Sequence, residues 1–115
     1  MASSSSKIVW FITGVSSGSG FDLALHALRA GHRVYGTVRD RTKAANAISK
    51  IEAEGGRCVV LDVTELGSIP RVIDDVLTKE GQIDVLVNNA GLGLLGVVED
   101  TRLGACIIIC LQVLT

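Results

Sequence analysis

Short apolar runs and amphipathic stretches alternate along this chain in a regular order. Ile8-Val9-Trp10-Phe11-Ile12 is continuously apolar, and it stops abruptly at Thr13-Gly14. Such a run, bounded by turn residues, reads as a buried strand. The spacing then changes. Leu23, Ala24, Ala27 and Leu28 recur at intervals of three and four, which predicts a helix with one apolar face, ended by Gly31. Arg33 to Arg39 is a β-rich second strand. Lys43 to Glu54 places Ala44, Ala47, Ile48 and Ile51 on one face and stops at Gly55-Gly56, which predicts a second helix. Arg57 to Leu61 is a third strand. The clearest helical period follows at Ile69, Val72, Ile73, Val76 and Leu77, with Pro70 near the first turn and Gly81 at the end. Asp74, Asp75, Lys79 and Glu80 form its solvated side. Ile83 to Val87 is a fourth strand that runs into Asn88-Asn89-Ala90-Gly91. Strands joined through helices must lie parallel, so the pattern predicts an α/β fold.

Composition narrows the class without changing the fold. The 115 residues fit one domain, and 48% hydrophobic with 20% charged residues is a globular balance. A net charge of -1 offers no basic surface for nucleic acid. Cys58, Cys106 and Cys110 form no C-x-x-C pair, and their odd number is expected of free thiols in a reducing compartment, the cytoplasm. Cys106 and Cys110 are four apart, which on a helix would share a face, but no histidine follows them; no metal site is expected. Met1 to Ser6 reads as a disordered polar arm, and the following five-residue apolar run is too short for a signal peptide. The apolar stretch Leu103 to Leu114 falls short of the roughly 20 residues that span a bilayer, so a core or interface segment is expected rather than a membrane anchor. Residues 7–100 form the expected domain, and 101–115 an atypical apolar tail in which Thr101 could begin a short helix.

Candidate chemistry gathers where strands end. After the first strand, glycine recurs at Gly14, Gly18 and Gly20 just before a helix, with hydroxyls at Ser16, Ser17 and Ser19. A turn this tight needs residues without a Cβ, and the first helical turn has unpartnered N–H groups at the positive end of the helix dipole. Both suit a bound phosphate. At the end of the second strand a side chain reaches an adenosine ribose: an acid would bond the 2′-hydroxyl, an arginine a 2′-phosphate. Arg39 stands there, followed by Asp40, with Arg41 and Lys43 adding positive charge; the alternative for this stretch is a solvated basic loop. Asp62 and Val63 end the third strand, where an aspartate can accept from an adenine amino group or cap the next helix. Asn88 and Asn89 can bond neighbouring strands and loops, while Ala90 and Gly91 keep side chains away from a cofactor.

Three features are decoys. Tyr35 and Arg39 have a spacing that pairs side chains on a helix, but on a strand it separates them by roughly 13 Å at about 3.3 Å per residue. His26 and His32 have no partner at catalytic or metal spacing and read as surface or packing histidines.

Thr13-Gly14-x-x-x-Gly18-x-Gly20, Asp62-Val63 and Asn88-Asn89-Ala90-Gly91, in that order, resemble the short-chain dehydrogenase/reductase family. The resemblance runs from Lys7 to about Asp100. Within the family, Val38-Arg39-Asp40 and the stretch from Asn88 to Gly96 look most like the hydroxysteroid and retinol dehydrogenase-like members. It implies a Rossmann-like doubly wound parallel sheet, here of about four strands in the order 3-2-1-4, and hydride transfer between NAD(P) and a carbonyl or alcohol. Gly14, Gly18 and Gly20 would line the pyrophosphate with Ser16 and Ser17 near it. Arg39 would favour NADP over NAD, and Asp62 and Val63 would flank the adenine. Asn88, Ala90 and Gly91 would sit beside the nicotinamide-side ribose and stabilise the central sheet.

The family's catalytic serine and Tyr-x-x-x-Lys pair lie well past the Asn-Asn-Ala-Gly motif. Here no serine, tyrosine or lysine follows Asn89. The expectation is a catalytically incomplete, truncated or frameshifted cofactor-binding half. Its rivals are an inactive regulatory or structural partner of a full-length homologue and a non-functional fragment. With only four strands, the fourth would leave an unpaired apolar edge and promote self-association, unless the tail folds back over it.

Overall fold

The computed structural model describes residues 7–62, 67–89 and 106–110. Five strands, β1 (Val9–Ile12), β2 (Arg33–Val38), β3 (Arg57–Val60), β4 (Val85–Asn88) and β5 (Ile107–Cys110), form one parallel sheet in the order β3-β2-β1-β4-β5. Among the described residues three helices, α1 (Gly18–Arg29), α2 (Ala45–Ala53) and α3 (Ser68–Glu80), lie between the strands.

Alternation along the strands explains why both faces are covered. On β1, Val9 and Phe11 join Tyr35 of β2, Leu86 of β4 and Ile69, Ile73 and Val76 of α3 in one buried cluster. Ile12 instead meets Val34 and Val38 of β2, Ala24 of α1 and Ile48 and Ile51 of α2 in a second cluster. Successive side chains on a strand point to opposite faces, so each central strand feeds both layers. The sheet is therefore doubly wound, with α1 and α2 on one face and α3 on the other. The buried side of α1 is Gly20, Ala24, Leu25 and Ala27, with Leu23 and Leu28 at its margin.

The tail corrects the expected strand count. Ile107–Cys110 is a fifth strand parallel to β4, with Val85 opposite Ile107 and Asn88 opposite Cys110. That extended backbone rules out the shared helix face considered for Cys106 and Cys110. It also covers the β4 edge, which removes the reason given for association through that strand. The helix considered at Thr101 lies outside the described residues.

Opposite the strands' carboxyl ends, two polar contacts fasten the fold. Trp10 Nε1–H donates to His32 Nδ1 at 2.9 Å and the rings stack at 6.0 Å, which makes His32 a packing residue. Glu80 accepts the Tyr35 hydroxyl at 2.6 Å and pairs with Arg33 at 2.7 Å. Burial works against the Glu80 carboxylate, but the bonds from Tyr35 and Arg33 outweigh it and hold its pKa below the usual carboxylate range. A carboxyl depressed in the folded state adds stability above its unfolded pKa of about 4.3, lost as pH falls through the folded value. Glu80→Gln should therefore flatten the loss of thermal stability on acidification below about pH 5. Identical acid slopes for the two proteins would contradict this.

Candidate functional site

The carboxyl ends of β1, β2 and β3 open onto a cleft of about 580 Å³, bordered by the Gly14–Ser17 turn, the end of β2 and Asp62. Open parallel sheets bind ligands at this end. The cleft is built from β1 outward. Thr13 is fully buried, and its N–H donates to the Val87 carbonyl at 3.0 Å. Its hydroxyl accepts from Asn89 N–H at 3.0 Å, while the Asn89 side chain donates to the Gly14 carbonyl at 2.9 Å. The glycine turn is thus tied to β4. Thr37 ties it to β2, because its hydroxyl accepts from Gly14 N–H at 3.2 Å and its carbonyl from Val15 N–H at 3.0 Å.

Two glycines are required by this packing for different reasons. Gly18, the first residue of α1, has φ +64°, a conformation that strains other residues, yet a Cβ there would meet nothing within 4 Å. Gly20 is limited by space: a Cβ would collide with the Gly14 carbonyl and lie 2.7 Å from Asn89 Nδ2. Ser17 caps α1 with extended backbone but no side-chain cap bond, and the first turn contains no acid. The helix therefore presents N–H donors and its positive dipole end to the glycine turn.

At the end of β2 the charges sort themselves. Arg39 is exposed on the cleft and has no ion-pair partner among the described residues. Lys43 also borders the cleft. Arg41, read from sequence as part of the same positive patch, instead donates to the Cys58 carbonyl at 3.5 Å and lies 3.9 Å from Glu52. Asp40 is engaged with backbone: its Oδ1 accepts from Thr42 N–H at 2.8 Å and Lys43 N–H at 3.2 Å.

Of the residues singled out from sequence, Gly14, Ser16, Ser17, Arg39 and Asp62 line one cleft. Gly18 and Gly20 stand behind it as the start of α1. The cap position of α3 is Gly67. Asn88 is buried at the end of β4, and its Oδ1 has no hydrogen-bond partner among the described residues. The bond to the glycine turn comes from Asn89. Val63, Ala90 and Gly91 lie outside the described residues. Sequence reasoning gave Thr37 no part in the site, named Thr13 only as the head of the glycine motif, and named Lys43 only as added positive charge. For Thr37 the available signal was position, two residues before Arg39.

Burial and the Glu80 carboxylate push the Tyr35 phenol up, and burial drives the Cys58 thiol up to about 11 and raises that of Cys106. Among the described residues no three His, Cys, Asp or Glu gather as metal ligands, and no helix is long and apolar enough to cross a membrane.

The model of the short chain dehydrogenase family matches residues 8–112. The chain belongs to the short-chain dehydrogenase/reductase family. It is 40% identical to a 3-ketodihydrosphingosine reductase of Bacteroides thetaiotaomicron over 88 residues, 76% of this chain and 30% of that protein. The chain spans about a third of the length of the curated relatives it matches. A metagenomic short-chain oxidoreductase solved with NADP superposes with a TM-score of 0.67 at 35% identity, over 77% of this chain and 41% of that one. A 3-ketoacyl-(acyl-carrier-protein) reductase of Brucella melitensis solved with NADH gives 0.64 at 30%, over 74% and 34%. Both cofactors thus occur among the solved neighbours.

Proposed function

We propose that this chain is the NADP(H)-binding portion of a short-chain dehydrogenase/reductase acting on alcohols or carbonyls. The observation that carries the reading is the cleft at the ends of β1 to β3. An acid-free helix start behind a glycine turn forms one side, and Arg39 and Lys43 stand at the other. In this reading the N–H groups at Gly18 and beyond, with Ser16 and Ser17, take the pyrophosphate. Arg39, assisted by Lys43, takes the 2′-phosphate. Asp62 meets the adenine, and Asn88, Ala90 and Gly91 approach the nicotinamide-side ribose with Val63 beside the adenine. Bound NADPH would supply the hydride; these residues hold and orient it. Saturable quenching or enhancement of NADPH fluorescence by the folded chain is the expected result. A folded chain that saturates with neither NADPH nor NADH would overturn the reading.

In this reading, hydride transfer finds no placed proton donor among the described residues. General acid–base help is typically worth about 10²–10⁴-fold and needs a group within hydrogen-bond reach of the developing alkoxide. Tyr35 is locked to Glu80 with a raised pKa, and Lys50 and Lys79 are exposed on α2 and α3. NADPH should stay unoxidised in the presence of ketones, quinones and aldehydes. Turnover that follows the purified chain and survives Tyr35→Phe would show a catalytic arrangement different from the one described.

A further inference from the structure

We infer that Asp40 is a positioning residue for cofactor choice: its carboxylate bonds to Thr42 and Lys43 N–H hold the β2–α2 turn so that Arg39 and Lys43 face one cleft. This rests on the NADP(H) reading above. An aspartate beside a 2′-phosphate site is at first sight a liability, because its charge repels the phosphate. The geometry gives it another task. Oδ1 accepts from Thr42 N–H at 2.8 Å and Lys43 N–H at 3.2 Å, and the Asp40 carbonyl accepts from Ala44 N–H at 3.0 Å. An aspartate bonding backbone N–H groups two and three residues ahead closes a tight turn. Three consecutive amides of the turn are thereby fixed by one residue, and α2 begins directly after it at Ala45. The same turn directs Arg41 away, to Glu52 and the Cys58 carbonyl. Arg39 and Lys43 remain on the cleft, four residues apart in sequence but on the same opening.

The two possible roles of Asp40 predict opposite signs. If its charge dominates, Asp40→Ala and Asp40→Asn should both strengthen NADPH binding. If the turn dominates, Asp40→Ala should lower the NADPH-to-NADH affinity ratio by about 3- to 10-fold, in line with loss of one or two hydrogen bonds. Asp40→Asn, which keeps an Oδ1 acceptor without the charge, should retain or raise the ratio. Hydrogen exchange of the Thr42 and Lys43 amides in the cofactor-free chain gives a second readout: faster in Asp40→Ala, near the original rate in Asp40→Asn. Tighter NADPH binding by Asp40→Ala, or an unchanged ratio, overturns the assignment. Equal NADPH and NADH affinities in the unmutated chain overturn the cofactor reading and the assignment with it. A preference that is present but insensitive to Asp40→Ala overturns the assignment alone.

Discussion

Gly20→Ala is expected to abolish detectable dinucleotide binding and to destabilise the fold by roughly 2–4 kcal/mol. The added Cβ would meet the Gly14 carbonyl, a backbone atom at the centre of the turn, and Asn89 Nδ2. Neither can move without breaking the Asn89-to-Gly14 bond that joins β4 to the turn. Overpacking and the lost bond therefore add, and the start of α1 shifts away from the turn. Gly18→Ala is the control. Its Cβ meets open space, so only the φ +64° backbone is strained, at about 1–2 kcal/mol. Thermal unfolding and NADPH titration of both variants test the comparison. A Gly20→Ala protein as stable as Gly18→Ala, with intact binding, would show that the close approach at Gly20 is not what fixes the turn.

Ile109→Asp is expected to detach β5 and to cause association. The Ile109 side chain is half-buried against the cluster formed by α1, α2 and the sheet. A carboxylate there costs roughly 2–4 kcal/mol, enough to compete with pairing of a four-residue strand. Losing β5 uncovers β4, whose Val85, Leu86 and Val87 are buried, and frees the Asp84 carbonyl just before it, which accepts from Ile107 N–H at 2.8 Å. An exposed, apolar strand edge is a template for pairing with another copy. Ile107 is 64% exposed, so Ile107→Asp should change stability by no more than about 0.5 kcal/mol and leave the sedimentation profile unchanged. Two variants with the same sedimentation behaviour would contradict the role assigned to β5.

Much of the architecture was legible because it depends on local period. The Ile69 to Leu77 stripe turned toward the sheet as expected, with Ile69, Ile73 and Val76 buried. Glycines at 31, 55 and 81 mark where the helices stop. The fifth strand was not legible in the same way. Ile107-Ile108-Ile109 has no alternation, and its state is decided by pairing with β4, not by its own pattern. The site divided similarly. A glycine loop announces itself, because missing side chains are visible in a sequence. The roles of Thr13, Thr37 and Asn89 depend on the register of β1, β2 and β4, which brings residues more than 70 positions apart within hydrogen-bond distance. Arg41 and Lys43 look equivalent in sequence. Only the turn closed by Asp40 separates the one near Glu52 from the one on the cleft.

The most direct test of the account is the ratio of NADPH to NADH affinity in the unmutated chain and in Arg39→Asp. A charge-assisted contact to the 2′-phosphate contributes about 1–3 kcal/mol, so NADPH should bind about 5- to 150-fold more tightly than NADH. Arg39→Asp should narrow or reverse that ratio while NADH affinity holds or rises, because an acid at this position bonds the 2′-hydroxyl. Equal affinities for the two cofactors in the unmutated chain, or a ratio untouched by Arg39→Asp, would contradict it.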